Sequence, residues 1–412
     1  MDLPAGSSAP SQAAQAEMMD RDWKNLPIHL LDSVVGRLVL LRDYLRFSLV
    51  CKSWYGIAVD NQAQRSKMTS PMLLIGTNKE DTWKLYDPME DKVFDVDISI
   101  PNKRYSGCSK GWLITVEDNF SGVTLINPFL RVQGSRKKEN SIIRLPSLPP
   151  PSKLWTSSTN YDHYVFKSAI SADPIVDPNN CVIVVIYEAH YRMAFLRLGK
   201  DTTWTLIDGN CTQEVIHFDG RFYALDLWSK ISCFEITAQS FPDIKSFKHD
   251  IGIEHAKRYL VISNEKKVLM VRRYYEFEDE DDMREDEFEY YMGEDDGKRF
   301  TTGFRIFEFN FEKCEWFEKF SLGDVALFLG DNCTVSVPVS DCSGLQSNCI
   351  YFNHDIVRDV CPFDRTGDHH SSDFGVYNVE TQSISQSYCI HATTLVKNTK
   401  CPPIWVVPPF QL

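Results

Sequence analysis

No apolar run in this 412-residue chain approaches the ~20 residues a helix needs to cross a bilayer, so no membrane span is expected. The sequence holds no C-x-x-C pair, and its densest cysteines (Cys333, Cys342, Cys349 and Cys361) lack the closely paired ligands of zinc sites. His369 and His370 follow Cys361, but a polar loop explains them as well as a metal does, so neither metal nor cofactor is expected. Also missing are G-x-x-x-x-G-K-[ST] for phosphates, the G-x-S-x-G nucleophile elbow and the H-E-x-x-H zinc pair. These absences leave no contiguous catalytic motif, while an enzyme assembled from distant loops stays open as an alternative. His163, His217 and His354 show no pattern that singles them out as ligands.

A basic excess is lacking too. Lys and Arg number 44 against 57 Asp and Glu, a net charge of −13, which speaks against a nucleic-acid partner. The stretch Glu276 to Lys298 holds thirteen acids against Arg284 and Lys298, so outside it the chain is near neutral. That stretch reads as a solvated insertion. A sharper alternative is that it attracts a basic substrate face, helped by Phe277, Phe288, Tyr290 and Tyr291 among the acids. Arg136-Lys137-Lys138 reads as a solvated turn. Met1 to Glu17 lacks both a basic end and an apolar stretch, so it reads as a loose tail (residues 1–20) and not as a secretory leader. The twelve cysteines are accordingly expected as reduced thiols, mostly in the core, in a protein of the cytoplasm or nucleus. The sequons at Asn119, Asn210 and Asn332 carry no weight in such a setting.

What is present divides into two patterns. Over residues 21–66 the apolar spacing is helical. Leu26-Pro27 suits a helix start, and Leu30, Leu31, Val34, Val35 and Leu38 then draw one broad stripe. Asp43 can cap a second helix on which Phe47, Val50, Cys51, Trp54 and Ala58 share a face, with Leu45 and Leu49 beside them. A module of roughly 40 residues buries only a modest share of its surface, so part of this apolar surface must face a partner.

These residues resemble an F-box. Leu26-Pro27, Leu30-Leu31 and the run Leu45-Arg46-Phe47-Ser48-Leu49-Val50-Cys51-Lys52-Ser53-Trp54, with its Val-Cys-Lys-x-Trp ending, carry the resemblance. It implies docking to a Skp-type adaptor and, through it, to a cullin. By position, Leu26, Pro27, Leu30, Leu31, Val34 and Leu38 would supply much of the adaptor contact, with Leu45, Leu49, Val50 and Trp54 completing the packed helices. Two residues depart from the pattern: Gly36 inside the first helix, and Val35 where F-boxes often place a larger aromatic residue.

From residue 69 to 412 the helical stripe gives way to short alternating runs rich in Val, Ile, Phe, Tyr and Trp, the pattern of a β domain. A unit of strand, tight polar turn and strand recurs six times. It is clearest at Trp83 to Pro88 with Lys92 to Val96, and at Val123 to Pro128 with Ser141 to Pro146. Weaker copies are Met193 to Leu198 with Thr203 to Ile207, Ile231 to Ile236 with Ile244 to Phe247, Phe304 to Phe309 with Cys314 to Phe320, and Gly375 to Val379 with Ser383 to Cys389. The spacing predicts a kelch-like β-propeller of about six blades, four strands each, with seven blades or an irregular sandwich pair as alternatives. Pro403 to Pro408 has the makings of a strand that closes the ring.

The β region is also similar to a plant family in which an F-box precedes a propeller-like domain, the group that includes the KIB-type F-box proteins. Its carriers, in order, are Gly111-Trp112-Leu113, Leu125-Ile126-Asn127-Pro128, Ile143-Arg144-Leu145-Pro146, Gly323 to Gly330, Cys349-Ile350-Tyr351-Phe352 and Pro402-Pro403-Ile404-Trp405. The resemblance implies a multidomain α plus all-β protein that recruits a target protein to a Skp-cullin-F-box (SCF) ubiquitin ligase for degradation, without catalysis of its own. An F-box and propeller interaction protein without ligase activity is the alternative. The substrate contacts are not placed by the sequence.

Overall fold

The computed structural model describes residues 26–38, 47, 50–65, 71–77, 82–96, 105–116, 122–127, 142–150, 164–188, 191–207, 211–236, 243–247, 256–277, 299–331, 333–342, 344–355, 373–385, 395 and 402–407. The chain forms two compact units, Met1–Thr69 with Pro409–Leu412, and Ser70–Pro408.

In the first unit, α1 spans Ile28–Arg37 and α2 spans Lys52–Arg65. Pro27 stands at the N-cap of α1, where a missing N–H costs nothing, and its carbonyl accepts from Leu30 N and Leu31 N at 2.9 and 3.2 Å. Leu31 and Val35, one helical turn apart, are buried against Phe47, Trp54, Ile57 and Ala58, with Leu26, Leu38 and Cys51 packed around them. The Phe47 and Trp54 rings meet with centroids 4.5 Å apart. One continuous stripe from Phe47 to Ala58 is not what forms. The chain turns at Val50, whose N–H bonds Phe47 O at 3.2 Å, and α2 begins only at Lys52. The 3.6-residue period is interrupted there, so Val50 comes out exposed while Phe47, Trp54 and Ala58 remain in the core.

The second unit is built from six sheets. From the innermost strand outward, blade one is Ile404–Val406, Met72–Gly76, Trp83–Asp87 and Lys92–Val96, and blade two is Cys108–Ser109, Trp112–Val116, Val123–Ile126 and Ile142–Leu145. Blade three is Val165–Ile170, Val182–Tyr187, Arg192–Arg197 and Thr205–Ile207; blade four is Thr212–Phe218, Arg221–Asp226, Ile231–Phe234 and Lys245–Phe247. Blade five is Ala256–Ile262, Val268–Phe277, Arg299–Asn310 and Glu315–Lys319. The inner strands adjoin one another in sequence from blade one to blade six. All six hairpins expected from the sequence are present as antiparallel pairs. Six blades is therefore the answer, and the seven-blade and sandwich alternatives fall.

Blade six departs from four strands. Its order is Thr334–Pro338, Val325–Leu329, Cys349–Phe352, Gly375–Asn378 and Ser383–Ser385, and the second and third of these run parallel. Local turn chemistry fixes the simpler hairpins. In blade four, Asp219 and Gly220 both sit at positive φ (48° and 76°), as a two-residue turn with right-handed strand twist demands.

The ring closes as expected from its last residues. Met72, Leu73 and Leu74 pair with Val406, Trp405 and Ile404. Trp405, fully buried, donates its indole N–H to Leu329 O at 3.1 Å and accepts at its own carbonyl from Cys333 Sγ at 2.7 Å. Asn353 Nδ2 adds a bond to Pro403 O at 2.9 Å, so blade one and blade six are stitched at several points along the closing strand. Cys333, Cys342 and Cys349 lie buried in the same cluster as small apolar groups. Most of the acidic insertion, residues 278–298, lies outside the described residues; Glu276 and Phe277 belong to a strand of blade five, not to the insertion.

Candidate functional site

The helical unit offers a partly apolar surface. Burial of Leu31 and Val35 turns Leu30 and Val34, themselves one turn apart, away from the core, and they are 44% and 38% exposed. Ile28 and Val50 are exposed as well, and Pro27 adjoins them. Leu26 and Leu38 are half-buried at the edges of the core. The candidate contact set of the sequence therefore splits. Leu30, Val34, Val50 and Pro27 can touch a partner directly, whereas Leu31 and Trp54 are core residues whose side chains shape the helices. Leu45 and Leu49 lie outside the described residues. Val35 fills the core, and Gly36 is exposed with open space around it, so the first of these departures bears on packing and the second on helix stability.

The propeller contains a second chemical feature, which the sequence reading missed. The inner strands of blades three, four and five and the turn into that of blade six each contribute a charged side chain, Lys167, Glu214, Lys257 and Asp331, alternating in sign and paired in twos. Lys167 Nζ lies 2.9 Å from Glu214 Oε1, and Lys257 Nζ lies 3.7 Å from both Asp331 and Asp355. All of these side chains are largely or wholly shielded from water. Burial raises the Glu214 carboxyl above its ordinary range and outweighs the opposing Lys167 ammonium.

Next to these pairs, and sharing Asp355 with Lys257, Arg273 joins blade five to blade six with no exposed surface. Its Nη2 donates to Asp373 Oδ2 at 2.9 Å, its Nε to Thr301 Oγ1 at 2.7 Å and its Nη1 to Asn353 O at 2.9 Å, while Asp355 Oδ2 stands 3.4 Å from Nη1. Tyr259 donates its hydroxyl to Asp355, and Tyr275 does so at 3.3 Å. Thr301 adds two bonds to Asp373, from its backbone N at 3.1 Å and its hydroxyl at 2.9 Å. The guanidinium also lies 4.7 Å from the centroid of the Phe352 ring. Burial acts to lower the Arg273 pKa, but Asp355, the two tyrosines and Asp373 overcome it and hold the cation charged; Tyr259, by burial and then by the Asp355 charge, is held neutral.

Lys167, Glu214, Lys257, Arg273, Asp331, Asp355 and Asp373 are scattered over more than half the chain, so no local spacing announces them. A faint signal exists: a charged residue at the second or third position of a blade's inner strand, as in VFKSAI, TQEVIHF and AKRYLVI. His217 is no part of this cluster; it packs edge-on against Phe222, and burial pushes its pKa down to about 4. His163 is outside the described residues, and among those described no cluster of His, Cys, Asp or Glu could hold a metal ion.

Residues 85–378 match the KIB1-4 beta-propeller family, and residues 23–66 match the F-box-like family. The chain belongs to the KIB1-4 β-propeller family. Its relatives in Arabidopsis thaliana include F-box proteins. An F-box/kelch-repeat protein is 24% identical over 94% of this chain and 95% of its own length. The F-box protein SKIP23 is 25% identical, covering 81% of this chain and 84% of that protein. Among solved structures, the N-terminal domain of Nup159 aligns with a TM-score of 0.32 and 8% identity over 77% of this chain and 75% of that one, too slight a likeness to build on. An F-box followed by a KIB1-4 propeller supports a substrate-adaptor role.

Proposed function

We propose that this chain is the substrate receptor of an SCF ubiquitin ligase, docking a Skp-type adaptor, and through it a cullin, by its F-box while its propeller holds a target protein. The observation that carries this reading is the exposed apolar set Ile28, Leu30, Val34 and Val50 on a helical unit whose own core is already filled. Such a surface, in a domain too small to cover it, is stabilised by a partner. The receptor needs no catalytic group of its own. Tethering a substrate beside a charged conjugating enzyme raises its effective concentration and makes transfer quasi-intramolecular. The cytoplasm and nucleus are the compartments in which this role is expected.

Co-purification tests it. The full chain should bring down a Skp adaptor and cullin, and Leu30→Ala with Val34→Ala should weaken both while leaving the unfolding temperature in place. A wild-type chain that recovers neither protein ends the ligase reading.

A further inference from the structure

Among the described residues, the outermost strand of each blade pairs on one side only. A free edge is a template for another strand, and folded chains blunt theirs by keeping it short, charged or covered. The outer strands of blades three, four and six follow this rule with three residues each, Thr205–Ile207, Lys245–Phe247 and Ser383–Ser385. Blade five does not. Its outer strand, Glu315–Lys319, has five residues; Phe317 at its centre is 43% exposed, and Phe320 just beyond its end is 74% exposed.

This strand is complementary to itself. Laid antiparallel against a second copy with Phe317 on the twofold axis, Glu315 faces Lys319 of the partner subunit, Phe317 faces its own copy, and Lys319 faces Glu315 of the partner subunit. Side chains two apart share a face of the sheet, so the two charge pairs flank the aromatic pair on one surface. The charges are placed for it. Glu315 is exposed and has no ion-pair partner among the described residues, and with Glu312 and Lys313 beside it that end of the strand is net negative. At the other end Lys319 and Lys267 share the one carboxylate of Glu308, at 3.4 and 3.7 Å, which leaves that end net positive. The Lys313 ammonium, 5.1 Å from the centroid of the Phe317 ring, steadies the ring at the edge. Blade one supplies the contrast. Its outer strand, Lys92–Val96, is also five residues long, yet the same operation sets Lys92 against Val96 and Asp95 against Val93, with no opposed charges.

We infer that the outer strand of blade five is a dimerisation edge, on which a second copy of this chain pairs its own Glu315–Lys319 antiparallel, joining two four-stranded blades into one sheet. The contact is isologous, so each copy spends its one edge and association stops at two instead of running on into fibres. Charge fixes the register. A slip of two residues in either direction removes both Glu315 to Lys319 pairs, and a slip of one puts the opposed side chains on different faces. The inference is independent of the receptor reading and stands or falls without it.

Sedimentation velocity of the purified full chain across the micromolar range tests it, with circular dichroism to check that each variant is folded. The wild type should show a species of twice the chain mass that grows with concentration. Phe317→Lys, which sets two ammonium groups against each other on the axis, should weaken the dimer by about tenfold or more. Glu315→Lys and Lys319→Glu should each weaken it comparably by opposing like charges, and the two together should return it to within about threefold of wild type, because every exchanged charge again meets its opposite. Phe317→Cys gives a second reading that does not depend on affinity. Opposed Cα atoms ~4.5–5.5 Å apart lie within the ~4.4–6.8 Å that a disulfide spans, so mild oxidation should link copy to copy. Wild type, with its own thiols, and Leu206→Cys, at a residue 50% exposed at the centre of blade three's outer strand, should not link under the same oxidant. A monomer at every concentration, a dimer indifferent to Phe317→Lys, single charge reversals that the double reversal fails to repair, or linkage at Leu206→Cys equal to that at Phe317→Cys overturns the proposal.

Discussion

Leu30 and Leu31 are neighbours in sequence with opposite fates, and separating them is the sharpest test of the helical unit. Leu31 has no exposed surface and packs with Val35, Trp54 and Ala58, so Leu31→Ala removes buried methyl groups and leaves a cavity. A loss of about 2–5 kcal/mol in unfolding free energy is expected, a large part of what a unit this small possesses. Leu30 and Val34 keep roughly two-fifths of their surface in water. Truncating them therefore costs little in the free protein. If an adaptor covers that remainder, at about 1.5–3 kcal/mol for a fully buried side chain each should contribute about 0.5–1 kcal/mol to binding. The double variant should then bind some five- to thirtyfold more weakly, since about 1.4 kcal/mol is a factor of ten. Thermal unfolding of the helical unit and titration calorimetry with purified Skp adaptor read the two effects separately. Normal stability with lost binding in Leu31→Ala, or a collapsed fold with normal affinity in the Leu30, Val34 double variant, would refute the burial assignment.

Further expectations concern stability, each read by denaturant unfolding of the full chain. Gly36→Ala should stabilise the helical unit by up to about 1 kcal/mol, because the new Cβ meets nothing within 4 Å and the helix gains propensity. Gly107→Ala should do the reverse in the propeller, by more than about 2 kcal/mol: its φ is 81°, and the added carbon would run into Ser168. His217 has a folded pKa near 4 because burial, with Lys110 nearby, disfavours its charged form. Its contribution is present above the unfolded value of ~6.5 and is lost as pH falls from there toward 4, about 1–2 kcal/mol by pH 5 after allowing for partial exposure. His217→Gln should flatten the profile over that window, and an unchanged slope between pH 7 and 5 would show that another group is responsible.

The strand pairs were legible because period-two alternation flanked by turn residues is a local signal, and Trp83 to Val96 shows it within fourteen residues. Pro27 was legible as a helix start for the same reason. Val50 was misplaced since the 3.6-residue period carries no mark of the turn that interrupts it before Lys52. Blade six was misread in its strand count: the parallel pairing of Val325–Leu329 with Cys349–Phe352 depends on which edge is free when the ring closes.

The F-box motif that identified this chain is read from contiguous residues, and so is the alternation that makes its larger domain a propeller. Helix and strand periods are properties of neighbouring residues, and they survive in the sequence unaltered. Which leucine of Leu30-Leu31 faces outward, and which distant aspartates meet Arg273, were decided only by packing. Asp373 lies a hundred positions from Arg273 along the chain and 2.9 Å away in the fold. The closure of six sheets into a ring, with burial forcing each charge to find its counter-charge, brings them together.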